Sequence, residues 1–162
     1  MRYTTALGFA VLLGAPAIAQ DVPNGCYVRD YSDAHLAKYP EQVVDRISIK
    51  FTPSGDFTSA EVKVRLADQG HSGRAGYGGQ LVSEFAENYA TPLRFNVECD
   101  GGGFDVINSD SAGIVIETDW FRLSDDVSGC SDGRVRSDLH EEGGLSTKYR
   151  LTQSVAAAYE WE

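Results

Sequence analysis

The sequence is poor in basic residues and, past its first nineteen positions, in long apolar runs. Its 162 residues include 14 Lys and Arg against 24 Asp and Glu, a formal net charge of −10 at pH 7. Phosphate backbones and anionic lipids repel such a surface, so we expect no nucleic-acid partner. We also expect no membrane insertion of residues 20–162, because no apolar stretch there approaches the ~20 residues of a spanning helix.

Recognised catalytic and cofactor motifs are also absent. There is no G-x-S-x-G, and none of the three histidines, His35, His71 and His140, lies in a nucleophile signature. We therefore predict a non-enzymatic protein that carries no cofactor. His71, next to Ser72 in a glycine-rich segment, is the best single candidate for a chemical role. No feature of the sequence specifies an oligomeric state.

The N-terminus has the pattern of a secretory signal peptide. Arg2 is followed by an apolar run at 7–13 and by Ala17-Ile18-Ala19, the small-x-small form that signal peptidase accepts. We expect cleavage after Ala19 and a periplasmic or secreted location. Residues 20–162 have the length of one domain with its own core.

Three cysteines in an exported chain predict one disulfide and one remaining thiol. The pairings 26–99, 26–130 and 99–130 are all possible. We favour Cys99 with Cys130, because both lie beside glycine-rich turns where a crosslink could hold a long acidic loop. The bond would close a loop of about thirty residues and stabilise the fold by ~3–4 kcal/mol in the chain-entropy model. Cys26 would then be a small buried apolar residue.

Alternating apolar and polar residues give the clearest secondary-structure signal. The stretch VDRISIKF, 44–51, places Ile47, Ile49 and Phe51 on one face, and residues 57–66 repeat the pattern after a turn. The remaining strands are expected at 25–31, 93–99, 104–106, 113–123 and 147–152.

One short helix is expected near the N-terminus of the exported domain. Ser32 or Asp33 can cap it, and it would run to Lys38 before Pro40 ends it. Seven or eight strands with no strand–helix alternation predict an all-β, single-domain antiparallel β-barrel or sandwich.

Two segments between the strands are less clear. Residues 67–80 contain five glycines and predict a long mobile loop, where binding function often lies. Residues 81–89 are ambiguous between a strand and a short helix, and the four-residue spacing of Leu81, Phe85 and Tyr89 slightly favours a helical turn.

Two glycine-containing stretches have several interpretations. DGGGFDVIN, 100–108, partly matches a calcium-binding nonapeptide and superficially a phosphate loop, but only one copy is present and a strand follows. NSDSAG, 108–113, partly matches a calcium loop whose fifth position, Ala112, cannot bind metal. We interpret both stretches as hairpin turns.

The best metal candidates lie in an acidic, glycine-rich loop at 124–144. If the chain is extended there, Asp138, His140 and Glu142 share one face, and two carboxylates with an imidazole could hold Zn²⁺ or a similar cation. A solvated acidic loop is the competing interpretation.

Aromatic residues could instead line an internal ligand site. In a barrel that carries a small apolar ligand, as a lipocalin does, these side chains would surround the ligand; otherwise they fill the core. The candidates are Tyr27, Tyr31, Phe95, Phe104, Trp120 and Tyr149.

Two stretches, CYVRDYSDAHLAKYPEQ and ECDGGGF, resemble a group of small, uncharacterised secreted bacterial proteins. The resemblance covers about a quarter of the exported chain and implies a compact exported domain without a known activity. It is carried by Cys26, Tyr27, Arg29, Tyr31, His35, Leu36, Ala37, Pro40, Gln42 and residues 98–104.

We therefore expect a periplasmic binding module that acts through its loops, 67–80 and 124–144. A basic protein is the expected partner, and inhibition of a cationic enzyme such as lysozyme is one concrete form. A lipocalin-like carrier of a small apolar ligand and a divalent-cation-binding domain are the alternatives.

Overall fold

A computed structural model describes residues 22–88, 93–124, 135–141 and 146–155. Most of these residues lie in strands. The elements, in chain order, are β1 Gly25–Asp30, α1 Asp33–Lys38, β2 Val44–Ser54, β3 Phe57–Leu66, α2 Gly70–Arg74, β4 Leu81–Asn88, β5 Arg94–Asn96, β6 Gly102–Asp110, β7 Gly113–Ser124, β8 Val135–Asp138 and β9 Thr147–Ser154.

The strands form a closed antiparallel barrel. Eight of them follow the order β6-β5-β4-β3-β2-β1-β9-β7, and a further pairing of β6 with β7 closes the ring. The prediction of an all-β antiparallel fold is confirmed, and the barrel rather than the sandwich is the form adopted. Closure removes most of the unpaired strand edges that an open sheet would expose.

The ninth strand, β8, extends one edge of β7. The Arg122 amide donates to the Gly101 carbonyl, whereas the Phe121 carbonyl accepts from the Leu139 amide. Adjacent residues of a strand direct these groups to opposite edges, so β8 lies on the edge away from β6. β8 and β9 therefore lie on the same edge of β7. β9 pairs with residues 114–118 of β7, and β8 pairs with residues 122–124.

The barrel interior is packed with apolar side chains. On β3 every second residue is buried, which is the pattern of a strand with one face on a core. At the centre, the ring centroid of Phe95 lies 5.0 Å from that of Phe51 and 5.1 Å from that of Phe104, and Phe121 is 5.7 Å from Phe104. These distances are those of directly contacting aromatic rings.

The expectation of a helical turn at 81–89 is wrong, because residues 81–88 form β4. Leu81 and Phe85 are four residues apart, an even spacing that also fits one face of a strand. They lie on the outer face and are about half exposed, at 55% and 48%. Val82 and Ala86 fill the inward positions instead.

The 67–80 segment is more ordered than predicted. It contains α2, in which Gly70 and Ser72 are buried. The Gly70 amide donates to the Pro40 carbonyl at 3.0 Å, and a Cβ at Gly70 would lie 2.7 Å from the Glu41 carbonyl oxygen. The glycines that predicted mobility therefore permit close backbone packing here.

The DGGG stretch joins β5 to β6, so the expected hairpin is present, but its glycines have another role. The positive φ angles of the turn belong to Cys99, at 58°, and Asp100, at 62°. Gly102 begins β6 with φ of 80°, and a Cβ there would lie 2.1 Å from the Trp120 carbonyl oxygen. Gly102 is thus required for β6 to approach β7.

We predict that Gly102→Ala destabilises the protein far more than Gly55→Ala. Gly55 also has positive φ, at 62°, but a Cβ there meets nothing within 4 Å, so it is a matched control. Gly55→Ala should cost about 1 kcal/mol and Gly102→Ala about 2–5 kcal/mol of unfolding free energy. Urea denaturation measures both. Equal losses would contradict the close approach of β6 to β7.

The cysteines are partly placed. Cys26 is a free, buried thiol on β1, which excludes the pairings 26–99 and 26–130. Cys130 lies outside the described residues, so its bond to Cys99 stays a prediction.

Proteolysis of the non-reduced protein followed by mass spectrometry should give a linked peptide containing Cys99 and Cys130. Cys26 should react with a thiol reagent only after unfolding, because burial shields it. A linked peptide containing Cys26 would contradict this arrangement.

Candidate functional site

Antiparallel topology gathers the longer connections at one end of the barrel. α1 joins β1 to β2, α2 joins β3 to β4, and the turn at 97–101 joins β5 to β6, all at the end where β7 finishes and β9 begins. We call residues 31–43, 67–80, 97–101 and 135–141 the capped end. The two expected binding segments, 67–80 and 124–144, thus begin and finish at the same end, although residues 125–134 and 142–145 lie outside the description.

α1 is fixed to the barrel through a histidine and a buried glutamine. Ser32 caps the helix by accepting from the His35 amide at 3.3 Å. Gln42 is 4% exposed, and its amide nitrogen donates to the Val44 carbonyl at 2.7 Å. Its carbonyl oxygen then accepts from His35 Nε2 at 2.9 Å, so this imidazole nitrogen carries the proton. Both polar atoms of the buried Gln42 side-chain amide therefore have a hydrogen-bond partner.

α2 is fixed to α1 and to β8. Gln69 Nε2 donates to the Tyr39 carbonyl at 2.7 Å, which ties the two helical segments together. Ser72 does not contact His71 through its hydroxyl, which lies 3.3 Å from the Val43 carbonyl. His71 instead reaches across to β8, where its Nε2 lies 3.1 Å from Ser137 Oγ.

The His71–Ser137 pair is the nearest approach to catalytic geometry at this end. The Asp138 amide donates to His71 Nε2 at 3.4 Å, so this nitrogen is an acceptor and the Ser137 hydroxyl can donate to it. A nucleophilic serine also needs access to substrate and a group that orients the base. Ser137 is 4% exposed, and in the described part of the chain no residue hydrogen-bonds to His71 Nδ1. The contact therefore joins α2 to β8.

The carboxylate of Asp138, the first metal candidate, is already engaged by the backbone. Its Oδ1 accepts from the Phe121 amide at 3.0 Å and from the His140 amide at 2.9 Å. The His140 ring nitrogen Nδ1 lies 3.9 Å from the same oxygen. Glu142 lies outside the described residues, so the three-residue cation site stays a prediction. Within the described ranges, no group of three potential metal ligands is assembled.

The six aromatic ligand candidates do not surround a common space. Tyr27, Phe95, Phe104 and Tyr149 are buried in the core. Tyr31 stacks on His35 at the capped end, with ring centroids 4.7 Å apart.

Trp120 points outward and is 48% exposed, with the Arg122 guanidinium 5.8 Å from its ring centroid. The four buried candidates thus belong to the packed core of the barrel.

Segment 139–141 is held against α1 and the core. The Tyr149 hydroxyl donates to the Leu139 carbonyl at 2.6 Å. Burial raises the pKa of Tyr31 to about 12; Arg29 opposes the rise and Glu141 adds to it. Burial also raises the pKa of Glu141, which proximity to His35 opposes. An acidic side chain therefore lies partly buried beside the aromatic stack.

A seam between β4 and β7 is the feature that sequence reasoning missed. Among the described residues, β4 pairs with β5 through Glu87 and Asn96 alone, because β5 has three residues. Glu84, 8% exposed, fills the resulting space: one oxygen accepts from the Phe85 amide and the other from Ser124 Oγ, both at 3.0 Å.

Burial raises the pKa of the Glu84 carboxyl, although both of these hydrogen bonds oppose the rise. A glutamate at an inward position of an alternating strand was the sequence signal.

Comparison with protein-family models, with curated proteins and with solved structures finds no significant match. Within the described ranges, neither helix has the length and apolar character needed to cross a bilayer.

Glu84 should make the stability of the protein depend on pH. The pKa of Glu84 is higher in the folded state than in the unfolded state, where it is about 4.5. The favourable contribution of Glu84 to stability is therefore complete below the unfolded pKa and is lost as the pH rises through the folded pKa. Wild type should therefore lose stability relative to Glu84→Gln as the pH rises above about 4.5. Urea denaturation of both proteins measures the difference, and parallel pH curves would contradict it.

Proposed function

We propose that the protein is an exported binding module that recognises a positively charged protein surface with its capped end. The observation that carries the proposal is topological: both long connecting segments and the acidic turn leave the barrel at one end. Loops held by a rigid barrel are the usual place for recognition.

Charge supports a basic partner. The residues from 98 onward contain 14 acidic and 5 basic side chains. Glu98 and Asp100 are exposed in the turn before β6. Complementary charge speeds encounter and excludes anionic competitors.

The packing of the barrel favours surface recognition over carriage of a ligand inside it. A lipocalin-like function needs space between the inward aromatic side chains, and Phe51, Phe95 and Phe104 contact one another instead. Among the candidate metal ligands, Asp138 already accepts two backbone hydrogen bonds on one carboxylate oxygen. That oxygen is therefore less available to bind a metal ion.

Inhibition of a cationic lysozyme is the first form to test, using oxidised residues 20–162. We expect inhibition at micromolar protein that weakens as salt increases, because exposed charges are screened. No inhibition and no binding at low salt would contradict this form.

Glu98→Lys should weaken that binding about 3- to 10-fold at low salt, since it reverses an exposed charge at the capped end. Asp56→Lys makes the same charge change in the β2–β3 turn, at the opposite end, and should alter binding less than about twofold. Isothermal titration calorimetry measures both. Equal effects would place recognition elsewhere or reduce it to overall charge.

A further inference from the structure

The outer face of the barrel carries a group of basic side chains on β2 and β3. Buried and partly exposed residues alternate along β3, so Lys63 and Arg65 both point outward. Arg46 of β2 lies directly opposite Arg65 in the ladder, and its Nε is 3.3 Å from Asp30 Oδ1. Like charges at directly opposite positions destabilise a sheet, because their Cβ atoms are only about 5 Å apart. We call Arg46, Lys63 and Arg65 the basic cluster.

The carboxylates next to the basic cluster contact it unequally. The Nε of Arg65 donates to both oxygens of Asp45, at 2.7 and 2.9 Å, so Asp45 engages one of the three guanidinium nitrogens. The Nζ of Lys63 is 3.6 Å from Glu61 Oε1, which is longer than the ~2.7–2.9 Å of a charge-assisted hydrogen bond. An anionic ligand can therefore compete with Glu61 for the ammonium group of Lys63.

A groove lies beside the basic cluster, on the outer face of β3 and β4. It has a volume of about 180 Å³ and is lined by Lys63, Leu81, Val82 and Ser83. Ser83 lies directly opposite Lys63 in the β3–β4 ladder, so its hydroxyl and the lysine ammonium stand side by side. Leu81 lies opposite Arg65 on the same face and is about half exposed. The groove thus combines a cation, a hydroxyl and an exposed apolar side chain.

We propose that this groove binds a small anion that carries a short alkyl chain, such as a short-chain carboxylate. Lys63 and Ser83 hold the anionic group, Arg65 attracts it from the same face, and Leu81 covers the alkyl chain. The groove is smaller than the ~300 Å³ at which pockets for drug-sized ligands begin, so the ligand is short. This site goes beyond recognition of a basic protein by the capped end and does not depend on it.

Local charge selects an anion although the protein as a whole is acidic. Across β2, β3 and β4, the two cross-strand rows that meet the groove contain the basic cluster and no carboxylate. The compensating carboxylates lie one strand away on β1, in the bulge before Arg46, and two positions along β3. At physiological ionic strength charges are screened beyond about 8 Å, so the nearest cations outweigh the distant net charge.

Titration with sodium hexanoate at constant ionic strength, followed by the amide chemical shifts in NMR, tests the proposal. The shifts of Lys63, Leu81 and Ser83 should saturate together, with a Kd on the order of 10 mM for a ligand of this size. Acetate lacks the alkyl chain and hexylammonium reverses the charge, so each should bind about tenfold more weakly. Equal responses to hexanoate and hexylammonium would overturn the proposal.

Lys63→Gln should weaken hexanoate binding about fivefold, because it removes the charge that holds the anionic group. Lys148→Gln is the matched control, since Lys148 also points outward and its Nζ is also 3.6 Å from a glutamate oxygen, that of Glu117. The control should change the Kd less than about twofold. Wild-type affinity in Lys63→Gln would contradict the proposed site.

Glu61→Gln should have the opposite effect and tighten hexanoate binding about twofold, because it removes the competing carboxylate. Glu117→Gln makes the same change beside Lys148 and should leave the Kd unchanged. Leu81→Ser, an exposed substitution, should weaken binding of hexanoate but not of acetate. Weaker hexanoate binding in Glu61→Gln would count against the assigned role of Lys63.

Vesicles of phosphatidylglycerol distinguish a free anion from a lipid surface. The wild-type protein should bind hexanoate and should not sediment with the vesicles, because its overall charge repels an anionic surface. Sedimentation with vesicles in the absence of hexanoate binding would identify a lipid surface as the occupant and overturn the proposal. Glu98→Lys should leave hexanoate binding unchanged, so a loss of lysozyme binding in that variant does not affect this test.

Discussion

The architecture depends on the close approach of β6 to β7, because that pairing turns an eight-stranded sheet into a ring. The approach is possible only where no side chain intervenes, and a Cβ at Gly102 would lie 2.1 Å from the Trp120 carbonyl oxygen. Once the ring is closed, the inward positions of all strands face one another. The interior then fills with contacting phenylalanines, which provides the apolar burial that stabilises a domain of this size.

Closure is complete in topology but uneven in hydrogen bonding. β5 has three residues, so it cannot cover β4 along its length. Glu84 substitutes for part of the missing strand by accepting from Phe85 of β4 and from Ser124 of β7. One local deficit thus accounts for the buried, pH-dependent carboxylate at the seam.

Sequence patterns predicted the strand faces that are set by residues close together in the sequence. Alternation placed Ile47, Ile49 and Phe51 inward on β2, and they are fully buried or nearly so. Alternation cannot separate strand from helix when apolar residues are four apart and exposed, which is why β4 remained ambiguous between a strand and a short helix.

Contacts distant in sequence were not predictable. His71 and Ser137 are separated by 66 positions, and only the closed ring brings α2 to β8. Glycine-rich stretches were also ambiguous, because glycine serves both mobile loops and close packing. At Gly70 and Gly102 it serves close packing.

Amide hydrogen exchange of the free, oxidised protein, followed residue by residue by NMR, tests the central claim most directly. A closed barrel in which β5 is too short to cover β4 predicts slow exchange at Val82, Glu84 and Ala86, which direct their amides to β3 in the alternation set by the Leu66–Gln80 hydrogen bond. It predicts fast exchange at Ser83, between two protected neighbours, because its amide faces the seam. Protection at Ser83 equal to that of Val82 and Glu84 would mean that the edge is covered in the free protein and would contradict the account.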